Sequence, residues 1–412
     1  MTIQAKRVLQ VAGVDMAVKN LLIPLMISLR DQGFDVEAAA NNISGAREDI
    51  GSLGFEFHNL DMERNLSPVN VARSFVQIYS LLKRKSYDAV HLHTPLAAFI
   101  GRFAAKAAGV PVVLYTAHGF YFHEGMPGIK RRIFECLEYA AGRAVTDFLF
   151  CQSMEDTESA LSLGFVHPSN ILHIGNGVDF DRFRADIEYS AVVKRELGIP
   201  PGSVVITFMG RVVKEKGVTD LVEAFLRLSE RHRDCVLLIA GDCDSAGDRD
   251  RKTIENIRRI ANSPGSAGRI RLMGFRSDPE KILLGSDIFV LPSYREGLPR
   301  SICEAMSCGL PVIASNIRGC REQVTHGESG YLFPAGDIEK LTWFLEDLMK
   351  HRGKRIGMGR NGRIEAKQRF DERNVISRQI DIYKRLLSDG IPASEEGVRG
   401  EEGRYVRVTV RS

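Results

Sequence analysis

Residues Ser293–Ser315 read SYREGLPRSICEAMSCGLPVIAS, and this stretch indicates the fold around it. The apolar run 287–291 (DIFVL) before it is typical of a buried strand, and 311–314 (PVIA) predicts the next one. Between them, Pro299 suits the first position of a helix, which we expect to stop at Gly309. The stretch is therefore a strand, loop, helix and strand unit. The N-terminus of its helix offers free N–H groups that would suit a phosphate.

Both halves of the chain repeat this alternation of strand and helix. Apolar runs of strand length alternate with segments of helical periodicity, which predicts parallel β-α-β units and a doubly wound α/β sheet in each half. The expected strands are 8–12, 35–39, 55–60, 89–92, 112–115, 148–151 and 171–174, then 204–209, 236–240, 270–272, 288–291, 312–314 and 330–333. We expect two Rossmann-like domains that face each other across a cleft, with ligands beyond the carboxyl ends of the strands.

The chain length also favours two domains. With 412 residues the chain exceeds the about 250 to 300 residues that a single core usually serves. Turn residues at 176–179 (NGVD) follow the last strand of the first half, and the boundary is placed there. The predicted division is 1–176 for the N-terminal domain, 177–365 for the C-terminal domain, 366–387 for closing helices and 388–412 for a disordered tail.

The charge balance is too weak by itself to argue for nucleic acid as a partner, and no nucleic acid is expected. The chain has 56 Lys and Arg residues against 52 Asp and Glu residues, a net charge of +4. Two local clusters are basic, 83–85 (KRK) and 130–132 (KRR). They fit either solvated helix ends or a face for an anionic membrane or a phosphorylated substrate.

Cysteine usage and hydropathy indicate a cytoplasmic protein. The seven cysteines include no C-x-x-C pair and are odd in number, which fits a reducing compartment. The first residues enter a strand-like run with no apolar signal segment. The longest stretch without charge, 107–123, is too short and too broken to span a bilayer. Contact with the inner membrane is therefore expected to be peripheral.

A loop with two well-placed cations opens the second half. Residues 210–217 read GRVVKEKG and lie between a strand and a helix, so Arg211 and Lys216 should converge on one site. A salt-bridged loop is the structural alternative. The functional alternative is that both cations bind an anionic ligand. At ~4 Å and an effective dielectric of about 20, a charge pair contributes about 4 kcal/mol, enough to help a diphosphate leave without a metal ion.

Three motifs of the sequence, taken together, resemble those of one enzyme family. They are Glu296-x7-Glu304, the loop G-R-x4-K-G and the hinge 176–179, and together they resemble the retaining GT-B glycosyltransferases of family 4. The resemblance extends over nearly the whole chain, to about Leu387. It implies the GT-B fold, with an acceptor-binding N-terminal domain and a donor-binding C-terminal domain.

The resemblance also implies roles for individual residues. Glu304 would hold the ribose hydroxyls of the nucleotide, which suits a carboxylate because it can accept from two vicinal hydroxyls. An ordinary helix glutamate is the alternative. Glu296 would bind a hydroxyl of the donor sugar. The other expected substrate contacts are Arg211 and Lys216 at the diphosphate, the backbone of Gly297 and Leu298 with Pro299, and the base-binding loop 274–277 with Arg276.

Arg300 is a further candidate for substrate binding on local grounds. A cation in the first turn of a helix opposes the macrodipole, so a negative group should lie near it. Donor phosphate is one option. Glu296 or Glu304 is the structural alternative.

Histidines mark the carboxyl ends of strands in the first half. His118 ends a strand in YTAHGF, and the resemblance implies that it contacts the transferred sugar or the acceptor. A capped structural histidine is the alternative. His91 and His93 lie two residues apart on one face of a strand, but no further ligand accompanies this H-x-H pair. No metal site is therefore expected there.

Two further motifs, at 242–244 and at 12–15, resemble known ligand-binding motifs only in part. Asp242-Cys243-Asp244 imitates the D-x-D metal motif of the other glycosyltransferase fold, GT-A, but it follows a strand of the second Rossmann-like domain. Because the cation pair already serves the diphosphate, we assign no metal to it. Gly13 is assigned to substrate binding, although its loop (AGVD, 12–15) departs from the Gly-Gly pair that family members often carry.

These residues favour a metal-independent glycosyltransferase, a hexosyl- or N-acetylhexosaminyltransferase, with a UDP-sugar as donor and no other cofactor, and the family resemblance implies that it retains the anomeric configuration. The strings REGLPRSICEAMSCGLPVIAS and HTP...AHGF resemble bacterial enzymes of capsule, exopolysaccharide or lipid-linked glycan assembly. The acceptor would then be a lipid-carrier-linked sugar or a polysaccharide. Without an evident covalent nucleophile, we expect front-face departure and attack, with His118 and Glu296 as catalytic residues. A UDP-sugar epimerase and a non-catalytic nucleotide-sugar-binding subunit are the alternatives.

Overall fold

The computed structural model describes residues 5–62, 67–242, 250–266 and 268–388. The chain forms two compact units, Met1–Gly175 with Ile376–Ser412, and Asn176–Val375. The C-terminal segment thus returns to the first unit. Two sequence predictions lie outside the described residues: the state of the tail from 389 on, and the D-x-D motif beyond Asp242.

The first unit contains a parallel seven-stranded sheet in the order β3-β2-β1-β4-β5-β6-β7. Its strands are β1 Arg7–Val14, β2 Asp35–Asn41, β3 Phe57–Asn59, β4 Ala89–His93, β5 Val112–Ala117, β6 Phe148–Cys151 and β7 Ile171–His173. The helices are α1 Asp15–Ala17, continued by a π-helical turn Val18–Leu22, α2 Ile23–Asp31, α3 Arg47–Ser52, α4 Pro68–Lys85, α5 Pro95–Ala108, α6 Gly128–Val145 and α7 Met154–Ser162. A core of apolar side chains from β1, β4, β5 and α5 lies against this sheet.

The second unit contains a parallel six-stranded sheet in the order β10-β9-β8-β11-β12-β13. Its strands are β8 Val204–Met209, β9 Cys235–Ala240, β10 Ile270–Gly274, β11 Ile288–Leu291, β12 Val312–Ser315 and β13 Gly330–Phe333. The helices are α8 Ile187–Glu196, α9 Val218–Arg231, α10 Arg251–Ala261, α11 Pro279–Leu284, α12 Arg300–Ser307, α13 Cys320–Gln323, α14 Ile338–Lys350 and α15 Arg352–Phe370; α16, Glu372–Leu387, leads back to the first unit. The prediction of two doubly wound α/β sheets is confirmed, and each expected strand is present.

The strand, loop, helix and strand unit predicted from 293–315 is also present. It comprises β11, the loop to Pro299, α12 and β12, and β11 pairs with β12 in parallel. The helix begins one residue later than predicted, because Pro299 takes the extended conformation of an N-cap (φ −67°, ψ 117°). Gly309 follows the C-cap of α12 with φ +76°, in the left-handed conformation that commonly ends a helix.

Helix α15 was not predicted as one element, and the segment 366–387 was treated as separate closing helices. In the structure α15 runs from Arg352 to Phe370, and α16 begins after a break at Asp371. Four glycines and few apolar residues hide the helix in the sequence. Gly359 lies where a Cβ atom would be only 1.9 Å from the Gly309 carbonyl oxygen, so this helix approaches the residues that follow α12 closely at Gly359.

No helix among the described residues is long and apolar enough to cross a membrane.

Candidate active site

The order of strands in each sheet indicates where a ligand would bind. In both sheets the chain reverses direction beside its first strand, between β1 and β4 and between β8 and β11. Ligands of such sheets bind outside the carboxyl ends of the strands at this switch point. Arg211 follows β8, and Glu296 lies in the loop after β11. Both predicted donor contacts therefore lie on loops that leave adjacent, paired strands.

Lys216 and Glu296 form an ion pair in the second unit. The Lys216 Nζ lies 2.5 Å from Glu296 Oε1, and the side chains expose only 18% and 8% of their surface. Ser293 donates its hydroxyl to the same oxygen at 2.7 Å. The other oxygen, Oε2, accepts no hydrogen bond from the described residues. This carboxylate is therefore held on one side and has one acceptor atom left for a ligand.

Arg211 differs from Lys216, since none of the described residues pairs with it. Its side chain is exposed, and within the described part of the chain it forms no ion pair or side-chain hydrogen bond. The salt-bridged alternative for this loop thus holds for Lys216 only.

The loop 297–299 is held through its carbonyl groups. Asn176 donates its amide to the Leu298 carbonyl at 2.9 Å, and Gln323 donates to the Pro299 carbonyl at 3.1 Å. Gly319, at φ +79°, lies so close that a Cβ there would be 1.7 Å from the Gly297 carbonyl oxygen. The loop is thus fixed from one side by groups that sequence spacing alone does not connect.

The N–H groups of the same loop have no hydrogen-bond acceptor in the part of the chain that the structure describes. Neither Gly297 nor Leu298 donates its N–H to an acceptor among the described residues. Helix α12 follows directly, with no side-chain cap and no acidic residue in its first turn. Bonded carbonyls and unbonded N–H groups at a helix start favour an anion or a hydroxyl oxygen as ligand.

Arg300 lies between two carboxylates. Its Nε is 3.1 Å from Glu304 Oε1, and its Nη2 is 3.5 Å from Glu372 Oε1. Burial raises the pKa of Glu304, since it outweighs the opposing charges of Arg300 and Arg182. Burial likewise raises the pKa of Glu372. Glu304 had been considered as a partner of Arg300, whereas Glu372 had not, because nothing in the sequence connects it with α12.

The predicted base-binding loop 274–277 follows β10. Arg276 forms a two-point ion pair with Asp278, with N–O distances of 2.8 and 2.7 Å. Phe275 beside it exposes 64% of its surface. The guanidinium of Arg276 is thus oriented by its neighbour, and an exposed aromatic ring lies next to it.

In the first unit, polar side chains form a continuous hydrogen-bonded network at the carboxyl edge. Nδ1 of His93 lies 3.1 Å from Nε2 of His118, and Nε2 of His93 lies 2.9 Å from Oε1 of Gln10. Nδ1 of His91 lies 2.6 Å from the Tyr383 hydroxyl, to which Gln10 donates at 2.8 Å. The H-x-H pair is therefore engaged in hydrogen bonds.

The histidines of this network are held neutral. Burial lowers the pKa of His91 and of His93 well below the usual value of 6.5. Burial also lowers the pKa of His118 to about 4, against a hydrogen bond with Gln152 that acts in the other direction. The His118 ring nevertheless keeps part of its surface accessible. Near neutral pH, the first unit thus presents an uncharged imidazole.

Gly13 was expected in a loop, but it lies in β1, one residue before the strand ends at Val14, and close to the start of α5. Its N–H donates to the Thr94 hydroxyl at 3.0 Å, and Thr94 itself has φ +65°. Asp15, which is fully buried, accepts hydrogen bonds from the N–H groups of Ser44 and Ala46 at 3.0 and 2.9 Å. The aspartate therefore links the start of α1 to the loop that follows β2.

One group of side chains within the described residues has the composition of a metal site. Ligand atoms of Glu37, Glu56 and His58 lie close together. Burial acts to raise the pKa of Glu37, but hydrogen bonds from Tyr87, His58 and Arg7 outweigh it and lower the pKa to about 2. Since cationic and O–H donors already surround the carboxylate, the cluster is an ion-pair network of the first unit.

Two doubly wound parallel sheets of this order, one with a cation–carboxylate cluster beside a helix start, have the features expected of a GT-B glycosyltransferase. Sequence profiles of known families give the same result: "Glycosyl transferases group 1" matches residues 191–365, and "Glycosyl transferase 4-like domain" matches residues 25–177. The chain belongs to this family of glycosyltransferases and is an enzyme of that class.

Individual relatives are bacterial. The chain is 34% identical over 330 residues to the UDP-Gal:α-D-GlcNAc-diphosphoundecaprenol α-1,3-galactosyltransferase of Escherichia coli, covering 79% of this chain and 81% of that protein. It is 24% identical over 374 residues to the capsular polysaccharide biosynthesis glycosyltransferase CapM of Staphylococcus aureus, covering 89% and 95%. The structure of Anabaena HepE in complex with UDP and glucose superposes with a TM-score of 0.78 at 17% identity, covering 92% and 100%, which establishes the fold.

Proposed function

We propose that this enzyme transfers a hexosyl or N-acetylhexosaminyl group from a UDP-sugar to a sugar carried on a lipid diphosphate, with retention of anomeric configuration and without a metal ion. The observation that carries the proposal is the Lys216–Glu296 pair beside the unbonded N–H groups of Gly297 and Leu298. The substrate classes come from relatives whose names include UDP-Gal and diphosphoundecaprenol sugars. UDP is also bound in HepE.

The second unit would stabilise the departing nucleotide. The bond between the anomeric carbon and the β-phosphate oxygen breaks, and both electrons stay on that oxygen. Lys216 and Arg211 would neutralise the charge that develops, and the N–H groups at the start of α12 would add hydrogen bonds. A charge pair at ~4 Å and an effective dielectric of about 20 contributes about 4 kcal/mol. Two cations thus supply the compensation otherwise given by a divalent ion.

Glu296 and His118 would act on the transferred sugar. The free oxygen of Glu296 can accept a hydrogen bond from a sugar hydroxyl, and neutral His118 can accept or donate one. In a front-face reaction the acceptor hydroxyl attacks the anomeric carbon from the side that UDP leaves. Its proton passes to the departing phosphate oxygen. The enzyme then contributes position and electrostatic stabilisation, and no covalent intermediate is needed.

The ribose and base would lie against the remaining contacts. Glu304 is a mostly buried carboxylate in the middle of α12, and the ribose diol can donate two hydrogen bonds to such a group. Arg300 holds it in place from one side. Phe275 and the oriented guanidinium of Arg276 offer flat surfaces to the uracil ring.

Helix α6 of the first unit would bind the membrane surface that holds the lipid-linked acceptor. Ile129, Ile133 and Leu137 recur every fourth residue and expose 83%, 54% and 39% of their surface. The basic cluster 130–132 is exposed on the same helix. Apolar side chains with adjacent cations fit an anionic membrane surface, which contributes about 1 kcal/mol for each Lys or Arg close to it.

The transfer reaction is tested by measuring UDP release and lipid-linked product. UDP-galactose, UDP-glucose and their N-acetyl counterparts are each incubated with a sugar-diphospholipid acceptor in excess EDTA. We expect acceptor-dependent UDP release with at least one donor. An epimerised sugar without UDP release, or a strict requirement for added metal, contradicts the proposal.

Membrane binding is tested separately by vesicle flotation with phosphatidylglycerol. Ile133→Glu should lower the bound fraction about 10-fold, because it places a carboxylate against the lipid phosphates. Ile356→Glu is a matched control, since Ile356 is also 54% exposed but lies on α15 of the second unit. Equal binding of both variants would contradict a role for α6.

A further inference from the structure

His118 is the least buried member of a chain of hydrogen bonds whose other members have no role in the proposed reaction. The chain runs from His118 through His93 and Gln10 to Tyr383. Gln10 and Tyr383 expose 0% of their surface and His93 exposes 2%, so water cannot replace these contacts. Gln10 lies on β1 and Tyr383 on α16, 373 residues apart in sequence.

The chemistry of Gln10 gives each hydrogen bond a direction. Its amide oxygen faces Nε2 of His93 and can only accept, so His93 donates from Nε2. A neutral imidazole carries one N–H, and Nδ1 of His93 must therefore accept. The atom opposite is Nε2 of His118, 3.1 Å away, which then carries the proton. His118 is consequently left with Nδ1 as an acceptor.

Tyr383 determines which way the Gln10 amide faces. The tyrosine hydroxyl lies 2.6 Å from Nδ1 of His91, whose Nε2 lies 2.7 Å from the Thr116 hydroxyl. When Tyr383 donates its proton to His91, the phenol oxygen can accept from the Gln10 amide nitrogen. The amide oxygen is then turned towards His93. Loss of the tyrosine hydroxyl removes this constraint.

We propose that Gln10 and Tyr383 are positioning residues for the transfer reaction: through His93 they hold His118 in the Nε2-protonated tautomer, so that Nδ1 accepts a hydrogen bond from a sugar hydroxyl. The role of the sugar rests on the proposed function, whereas the tautomer rests on the hydrogen-bond geometry of the first unit. The amide oxygen of Gln152 can accept a hydrogen bond from the protonated His118 ring, which is why this contact acts to raise the pKa of His118 against the effect of burial.

The tautomer is measured directly by NMR of protein labelled with ¹⁵N in the histidine rings. His118→Asn identifies the signals of His118. In the wild-type enzyme we expect the Nε2-protonated form, and in Gln10→Leu a mixture of both tautomers. Gln10→Glu keeps an acceptor towards His93 and should retain the wild-type pattern. An Nδ1-protonated His118 in the wild type, or an unchanged tautomer in Gln10→Leu, would overturn the proposal.

Kinetics test whether the tautomer matters for transfer. Gln10→Leu and Tyr383→Phe should lower kcat about 10-fold with little change in the KM for the donor, and Gln10→Glu should recover most of the loss. Tyr87→Phe is the control, because it also removes a buried tyrosine hydroxyl of the first unit, one bonded to Glu37. Equal losses in Tyr87→Phe and Tyr383→Phe would mean that general destabilisation is the cause.

These two experiments separate the inference from the proposed function. If no donor supports transfer, the proposed function fails while the NMR result still tests the tautomer. If transfer occurs and Gln10→Leu alters neither the tautomer nor kcat, the inference alone fails.

Discussion

The two units have carboxyl edges that differ in electrostatic character. In the first unit, His91, His93 and His118 form a buried network whose members are all neutral near pH 7. In the second unit, the corresponding loops carry ion pairs, Lys216 with Glu296 and Arg300 with Glu304. Both sheets have the same strand order around the switch point, so topology does not cause the difference.

The difference matches the chemistry proposed for each edge. A nucleotide diphosphate is highly charged, and its departure increases the charge on one oxygen, which fixed cations and N–H groups can compensate. A sugar hydroxyl is uncharged and needs a hydrogen-bond partner of defined direction. A neutral, oriented imidazole supplies that direction without drawing the phosphate away. The comparison teaches that one fold can carry two kinds of site, depending on which side chains end its strands.

Removing a cation from the carboxyl edge of the second unit should have the largest effect on the rate of transfer. Lys216→Met keeps most of the side-chain volume but removes the cation, and we expect kcat to fall at least about 100-fold, which corresponds to about 3 kcal/mol of transition-state stabilisation. Steady-state UDP release measures it. Lys214→Met is the control, since Lys214 is an exposed cation of the same loop. Similar rates for the two variants would contradict the diphosphate role.

Replacing the neutral histidine at the carboxyl edge of the first unit should lower the rate of transfer less. His118→Asn retains a polar side chain but not the ring, and we expect kcat to fall about 30-fold, or about 2 kcal/mol, because one oriented hydrogen bond is lost. Single-turnover kinetics with saturating donor measure it. A change confined to the KM for UDP-sugar would place His118 in ground-state binding only.

Removing the cation between Glu304 and Glu372 should have a still smaller effect within the second unit. Arg300→Met leaves Glu304 and Glu372 without their shared cation, so their carboxyl groups should bind protons more readily. We expect the KM for the donor to rise about 10-fold, which is about 1.4 kcal/mol, with a modest change in kcat. Arg352→Met, an exposed arginine at the start of α15, is the control.

The response of stability to pH should differ in sign between the edges. Histidines whose pKa is lowered on folding stabilise the fold fully above pH 6.5 and lose that contribution as pH falls towards their folded pKa, which is about 4 for His118. Glu304 and Glu372, whose pKa is raised, behave oppositely: their cost diminishes as pH falls through the folded pKa. Lowering pH from 6.5 to 5 should therefore weaken the first unit specifically.

Hydrogen exchange of β4 and β11 peptides, corrected for intrinsic rates, measures this difference. His91→Gln should reduce the pH slope of the first unit by up to about 1.4 kcal/mol per pH unit, since one buried histidine no longer takes up a proton on unfolding. His351→Gln is the control, because the side chain of His351 is 59% exposed. An equal slope in both variants would contradict the role of the buried network.

The sequence was sufficient for much of the fold because the strands are apolar runs with turn residues between them. Strands 148–151, 204–209, 288–291 and 330–333 were predicted with the bounds that the structure has. Helix α15 was not, because its four glycines lower helix propensity, and one of them, Gly359, serves a close backbone contact instead. Apolar periodicity identifies buried surfaces made by side chains but not contacts made by the backbone.

The candidate site was predicted where a motif is local, and incompletely elsewhere. Glu296 and Lys216 lie on adjacent loops as expected, while their roles towards a substrate stay predictions. Contacts such as Arg300 with Glu372, or Gln10 with Tyr383, join residues far apart in the chain. No spacing rule connects such pairs, and only the tertiary structure brings them together.

The central claim is that fixed protein cations, rather than a metal ion, compensate the departing diphosphate while the sugar keeps its configuration. The most direct measurement is the NMR spectrum of the product formed from an α-linked UDP-sugar in excess EDTA. The account predicts acceptor-dependent transfer and an α-linked product. A β-linked product, or no transfer until a divalent ion is restored, would contradict it.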